Sequence, residues 1–515
     1  VTDVLWPIDL CPSQQTWRTI GNAATFVSPL SGATRTYGRP GVRMGCTMTW
    51  PMMKGQDRAR AIAALARLKD QGNRFWVPDY STTRRGSFPA SELLTNNDFS
   101  SGTGSWSVSG AGTLSAQDRV MRVAWSENTG GEANATQTVT TTPYAPYGAR
   151  AMVGARSYTS ANAGVFFGGS DAASSANRLS SYAFVPIASS QAFYLNNLAG
   201  PALAGDFTEF TWSSVSRCAL VDGGMNSILY SDQINNAAWT KTGATAGTND
   251  AFAPDRTVTA DSLTEDSSTG GHYITQSVAR ATGEADICSY GFFSRNTGTR
   301  NVRLSAGNDG TDQGWVTFSL TGNGSIADGP TNAGTATNTR AFIRSYGNGW
   351  YFCCVISRLT SAATMRMFAE MANGTSVSYA GDGTSQLAVW RVGIALASVP
   401  TRGAQTTTTG TSGTTQSGSG IYVKGLPAST SGLLEVGDFV EIGGQINRVT
   451  SRLNSDAAGL GFLQCGNPWR AATNNAPIFV NTPMCRMMLA SDTIDIDTGP
   501  GQFSPFQIEL VEAID

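Results

Sequence analysis

The sequence predicts a mainly β protein: a small β-sandwich or barrel base with one α-helix, carrying two inserted jelly-roll-like β-sandwich modules. Three observations predict it. Charged residues make up only 14% of the chain while glycine supplies 58 of its 515 residues, a balance suited to pleated strands joined by tight turns. Short alternating apolar segments recur between Gly-, Asn-, Asp- and Thr-rich turns, which is the signature of sandwiches and barrels. Finally, one phrase occurs twice: "LLTNNDFSSGTGSWSVSG" at 93–110 and "ILYSDQINNAAWTKTG" at 228–243. Each copy runs from two aliphatics through an Asn/Asp-rich stretch to a Trp followed by Ser/Thr alternation.

Taken in order, residues 1–92 hold short strand-like runs around Trp6, Trp17, Trp50 and Trp76, and one helix in "KGQDRARAIAALARLKDQGNRF". There Ala59, Ile62, Ala63, Leu65, Ala66 and Leu68 follow helical spacing and Gly72 is a stop signal, with Arg58, Arg60, Arg67 and Lys69 mostly on the other face. Residues 93–222 and 226–400 each open on the repeated phrase and each close on an alternating strand bearing a Trp, Trp212 or Trp390. About eight strands in each suit a two-sheet sandwich. Residues 401–420, "TRGAQTTTTGTSGTTQSGSG", carry no apolar side chain larger than Ala and are expected to be a flexible linker. Residues 421–515 return to dense strands. The layout reads as one base, built from 1–92 and 421–515, interrupted by two display modules; loop insertion is tolerated because closure cost grows slowly with length.

Several function classes are excluded by composition. A net charge of −2 with no basic block removes the electrostatic footprint of nucleic-acid or anionic-membrane binding. Nothing approaches 18 consecutive apolar residues, so no spanning helix is expected, and the opening "VTDVLWPIDLCPSQQTW" lacks the basic and apolar regions of a secretion leader. Eight cysteines (11, 46, 218, 288, 353, 354, 465, 485) make no CxxC spacing and read as buried thiols of a protein assembled in a reducing cytosol. Cys353 and Cys354, adjacent on a strand, point to opposite faces and cannot easily grip one metal ion.

Two segments resemble a known family. "KGLPASTSGLLEVGDFVEIGGQINRVTSRLNSDAAGLGFLQCGNPWR" and "MTWPMMKGQDRARAIAALARLKDQGNRFWVP" are similar to the C- and N-terminal parts of distal tail proteins of long-tailed (siphovirus-type) bacteriophages. The 226–400 module, through "NSILYSDQINNAAWTKTGAT", "APDRTVTADSLTED", "HYITQSV" and "GNGWYFC", resembles carbohydrate-binding-module-like domains appended to phage tail proteins. The resemblance implies a virion subunit at the tail tip, assembled in the host bacterial cytoplasm, forming a homohexameric ring between a tail tube protein and a tail hub protein. It also implies modules turned toward host cell-surface glycans. On that reading Arg58, Arg60, Arg67 and Lys69 are candidates for the ring interface.

Chemistry is sparse. The single histidine, His272, has no G-x-S-x-G elbow to serve and no metal-ligand spacing around it, so it reads as structural. Asp261, Glu265 and Asp266 form an acidic cluster that reads as a solvated turn; structural calcium is the one cofactor its chemistry would suit, and no other is expected. Sugar binding would instead rest on aromatics, because a pyranose offers an apolar face to a flat ring. Candidates are Trp315, Trp350, Tyr351 and Tyr273 in the second module and Trp106, Trp125 and Tyr158 in the first, while Trp239, like its counterpart Trp106, marks the fold. The expected role is non-enzymatic. The alternative is a tail-associated polysaccharide-degrading enzyme, since two carboxylates flanking a sugar leave no spacing signature.

Overall fold

The computed structural model describes all residues except 1–2, 5, 39–40, 54, 69–71, 82–83, 129–130, 158–162, 168–169, 175–177, 187, 198–202, 225, 280–286, 297, 309–311, 360–363, 396–405, 408, 410–412, 457, 492–503 and 515. The chain is mainly β with one helix among the described residues. The two ends of the polypeptide share a sheet: strands Asp3–Val4, Arg74–Pro78, Met484–Leu489, Ser504–Glu512, Arg43–Met53 and Gln14–Ile20 lie side by side in that order. Helix Gly55–Leu68 covers it with Ala64, Leu65 and Leu68, which meet Trp6, Trp50, Phe75, Cys485 and Leu510. The buried stripe is Ala61, Ala64, Leu65 and Leu68, so Ala59, Ala63 and Ala66, placed on the apolar face by the sequence, are exposed. Alanine periodicity leaves the rotation of a helix underdetermined; the larger Leu65 and Leu68 set it.

A second part of the base joins strands Gly461–Ala472, Gln416–Lys424, Ala219–Val221 and Pro477–Ile478. The first sandwich therefore ends sooner than the 93–222 boundary suggests, because Ala219–Val221 pairs with Val423–Lys424 and Pro477–Ile478. The 401–420 stretch also differs from a free linker where it is described. Thr406 is buried, its hydroxyl bonded to the Ile228 carbonyl and its N–H to the Ser231 hydroxyl (2.9 Å), Thr414 N–H donates to the Gly223 carbonyl (2.9 Å), and the base strand starts at Gln416. Threonine and glycine need no apolar core when backbone partners satisfy them.

Each sandwich is a pair of sheets around its own core. In the first, strands Ser170–Ser174, Ala163–Phe167, Ser190–Asn197, Ala133–Thr140 and Ser107–Gly110 face Arg178–Phe184, Tyr147–Arg156, Phe207–Arg217, Val120–Trp125 and Gly112–Gln117. In the second, two six-stranded sheets enclose Ile274, Leu304, Phe318, Tyr351, Met367 and Ile394 among others. The repeated phrase is the same device in both. Asn96 and Tyr230 take left-handed backbone (φ 51° and 50°), and the indole N–H of Trp106 or Trp239 donates back to that residue's carbonyl at 3.1 and 3.0 Å. An inward-facing glutamine then clamps the entry segment, Gln137 on Thr95 (3.1 and 2.7 Å) and Gln276 on Leu229 (2.7 and 3.1 Å).

The units are welded together. Arg150 of the first sandwich, fully buried, meets base residue Glu441 at 3.0 Å and donates to the carbonyls of Asn481 (2.8 Å) and Thr482 (3.1 Å), with its guanidinium 4.0 Å from the Phe479 ring centre. The second sandwich meets the first where Arg340 stacks 3.7 Å over Tyr144, beside Phe342 and Phe352. It meets the base through Arg344 and Asp456 at 2.6 Å.

Candidate functional site

The outer face of one six-stranded sheet of the second sandwich is where aromatic and charged side chains converge. Its strands run Thr240–Thr242, Tyr273–Ala279, Thr364–Ala372, Asn301–Asn308, Asp312–Ser319 and Ser325–Ala333. Alternation sends Ile274, Val278, Met365, Met367, Ala369, Met371, Val302, Leu304, Val316 and Phe318 into the core, so their neighbours face outward. Register then aligns those neighbours in rows across the sheet. One row reads Tyr273, Glu370, Arg303, Thr317 and the next Thr275, Phe368, Ser305, Trp315.

The small members, Thr275, Ser305 and Thr317, are buried and form a floor, while Tyr273, Phe368, Glu370, Arg303, Arg366 and Trp315 stand half-buried above it. Tyr273 and Phe368 meet edge to face with ring centres 5.5 Å apart. Arg303 lies 3.8 Å over the Trp315 ring, held by Nε donating to the Thr317 hydroxyl (2.9 Å) and Nη2 to the Thr375 carbonyl (2.7 Å). Arg366 is fixed by Nε on the Thr275 hydroxyl at 3.1 Å. Glu370 sits between the Tyr273–Phe368 pair and the Arg303–Trp315 pair; burial pushes its carboxyl above the usual carboxylate range, and Arg303 and the Ser305 hydroxyl (3.4 Å) draw it back down. Such a face offers rigid planar rings for apolar contact and ionic groups for strong, directional hydrogen bonds.

The structure brings together two of the four sugar-binding candidates, Tyr273 and Trp315. It does not bring Trp350 and Tyr351 to them. Both lie on strand Trp350–Leu359 of the opposite sheet. Tyr351 points into the core, 4% exposed, with its hydroxyl on the Gly322 carbonyl (2.9 Å). Trp350 faces the other way but is only 2% exposed, packed with Trp390 and Ala253 and bonded to the Phe252 carbonyl (3.0 Å). Trp106 and Trp125 are likewise core of the first sandwich, and Tyr158 lies outside the described residues. Phe368, Arg366, Glu370 and Arg303 escaped sequence reasoning. For the first three the available signal was "MRMFAEM", where Met and Ala alternate with Arg, Phe and Glu rather than with Ser or Thr, and for Arg303 it was its place between Val302 and Leu304 in "VRLSAG".

The other candidates fall elsewhere. Arg60 of the proposed ring interface is committed within the chain, bidentate on Asp9 at 2.8 and 2.7 Å. Arg58 is half-buried, Arg67 is exposed, and Lys69 lies outside the described residues. His272 is fully buried, Nδ1 2.6 Å from the Gly243 carbonyl. Of the acidic cluster, only Asp266 is a solvated turn residue. Asp261 is buried and accepts the Asn249 N–H (2.7 Å), and Glu265 is buried with both oxygens on Arg300 (2.9 and 2.6 Å), beside the Tyr379 hydroxyl (2.6 Å). Glu265 is stable in the sandwich interior because Arg300 and the Tyr379 hydroxyl outweigh its desolvation and hold its carboxyl below the ordinary range, whereas burial leaves the Asp261 carboxyl raised. Among the described residues no three His, Cys, Asp or Glu side chains converge as a metal site.

No protein-family model and no curated protein matches the chain. Among solved structures, the N-terminal CBM22-1–CBM22-2 tandem domain from Paenibacillus barcinonensis Xyn10C is similar over 61% of this chain and 99% of that one, at 13% identity and a TM-score of 0.21. A likeness of that size carries no argument about ligand, which rests on the residues themselves.

Proposed function

We propose that this chain is a non-enzymatic display subunit whose second sandwich binds surface glycans through the sheet face of Tyr273, Phe368, Glu370, Arg366, Arg303 and Trp315. The observation that carries it is the alignment of one aromatic pair, Tyr273 with Phe368, and one cation–ring pair, Arg303 over Trp315, around a half-buried carboxylate on the outer face of the sheet. Sugar rings stack on the aromatics while hydroxyls bond to the carboxylate and guanidinium groups. The setting proposed is a phage tail tip, with the base forming a ring. The resemblance of the two end segments supports it, as does hairpin Ala23–Val27/Thr34–Gly38, which among the described residues forms a two-stranded sheet by itself and exposes Phe26 (60%), Val27, Leu30 (98%) and Tyr37 (62%). An isolated two-stranded ribbon with apolar side chains in water is a surface awaiting a partner.

The test is binding of the full chain to an array of bacterial surface polysaccharides, repeated with Trp315→Ala and Phe368→Ala. Each variant is expected to weaken binding by about tenfold, the loss of one aromatic stacking contact. Unchanged binding in both would overturn the assignment of this face. Release of new reducing ends by the wild type, lost in Glu370→Gln, would replace display with hydrolysis.

A further inference from the structure

A second concave surface lies at the seam between the second sandwich and the base. It encloses about 340 Å³ and is lined by Arg344 and Tyr346 from the sandwich and Tyr422, Asn454, Asp456 and Phe462 from the base. That volume lies at the low end of the range of small-molecule sites, about 300–1,000 Å³, which favour domain boundaries. Three aromatics here are unusually open: Tyr346 is 44%, Tyr422 41% and Phe462 48% exposed. Tyr422 and Phe462 are cross-strand partners, ring centres 5.0 Å apart at 63°. Phe462 lies over Gly420, where any side chain would collide with its ring, so the glycine lets that ring lie against the sheet.

The polar groups are equally fixed. Asp456 accepts the N–H groups of Ala458 (2.8 Å) and Leu460 (2.9 Å) through one oxygen and Arg344 (2.6 Å) through the other. Asn454 accepts the Gly432 N–H at 2.8 Å through its carbonyl oxygen, which leaves its NH2 group to donate. The two charged side chains neutralise one another, so the seam presents planar rings and hydrogen-bonding groups with no net charge.

We infer that this seam is a saccharide-binding groove distinct from the sheet face, selective for a neutral oligosaccharide and complete only when the second sandwich is docked on the base. Open aromatic rings in fixed positions match the apolar faces of consecutive pyranoses, and Asn454, Asp456 and Arg344 meet their hydroxyls. An anionic sugar would meet the Asp456 carboxylate beside the Arg344 guanidinium, so the pair gives it no net attraction over a neutral one.

The experiment uses the full chain carrying Trp315→Ala and Phe368→Ala, which silences the sheet face, titrated calorimetrically with cellohexaose, xylohexaose, maltohexaose and chitohexaose. At least one is expected to bind, and adding Phe462→Ala should weaken it at least tenfold. Gly420→Ala, which displaces the Phe462 ring while the backbone stays in an ordinary conformation, should weaken it at least threefold and guards against loss by misfolding. The inference fails if none of the four sugars binds the face-silenced chain, or if binding ignores both Phe462→Ala and Gly420→Ala. It also fails if Phe462→Ala abolishes sugar-independent dimerisation instead, which would make the groove a contact between copies.

Discussion

Replacing Arg150 with methionine tests the weld between the first sandwich and the base. The guanidinium is fully buried and makes its ion pair with Glu441, two bonds to backbone carbonyls and a stack on Phe479. Methionine fills similar space but leaves Glu441 buried with backbone donors alone to replace the guanidinium, the N–H groups of Met484 (2.7 Å) and Gly444. Removing one partner of a buried pair costs about 3–5 kcal/mol, most of it from the stranded charge. With a urea slope near 2.5 kcal/mol per M, the unfolding midpoint should fall by about 1–2 M. Burial already holds the Glu441 carboxyl above its ordinary range in spite of Arg150. The folded state therefore binds that proton more tightly than the unfolded chain does. Its contribution to stability is present at pH below the ordinary carboxylate range and is lost as pH rises through the folded value. Without Arg150 the upward shift grows, so the penalty should be larger at pH 8 than at pH 5. Adding Glu441→Gln should recover most of the loss, because no charge is then stranded. Urea titrations of the four proteins at both pH values decide it. A cost under about 1 kcal/mol, or a double variant no better than the single one, refutes the reasoning.

Further outcomes follow from the same contacts. Glu370 is also held above the ordinary carboxylate range by burial, so the stability of wild type relative to Glu370→Gln should be greatest near pH 4 and decline toward pH 7, read as the difference in melting temperature across that range. Gln276→Ala strands the Leu229 N–H and carbonyl and should destabilise the second sandwich by about 1–3 kcal/mol, with Gln137→Ala doing the same to the first; hydrogen exchange at the two entry segments would assign each loss to its own sandwich. Phe26→Ser with Leu30→Ser, both at exposed positions, should leave the melting temperature within a degree or so while reducing self-association in sedimentation; sedimentation unchanged from wild type would remove the hairpin from any ring contact.

Much of the architecture was legible in the chain itself. The echo at 93–110 and 228–243 encodes one local device, a left-handed residue, a looping polar run and a Trp whose indole returns to that residue's carbonyl, within some ten positions. Interactions of that range are carried by nearly contiguous residues, so their pattern survives in the text. Strand alternation in "YITQSVA", "VRLSAG" and "MRMFAEM" likewise reports which side chains share a face.

Alternation cannot say which face is covered, or by what. Trp350 and Trp315 occupy equally plausible strands, yet Trp350 is sealed by Trp390 and Ala253 while Trp315 stays half-buried under Arg303. The partnership of Arg150 with Glu441, 291 positions apart, and the seam joining Tyr346 to Phe462 exist only once sheets from distant segments have stacked. The sequence by itself determined the β class, the repeated sandwich entry and the parity of each strand, because those depend on neighbours along the chain. The tertiary structure alone decided which aromatics reach solvent and which ions pair, because burial is a property of what arrives from elsewhere in the chain.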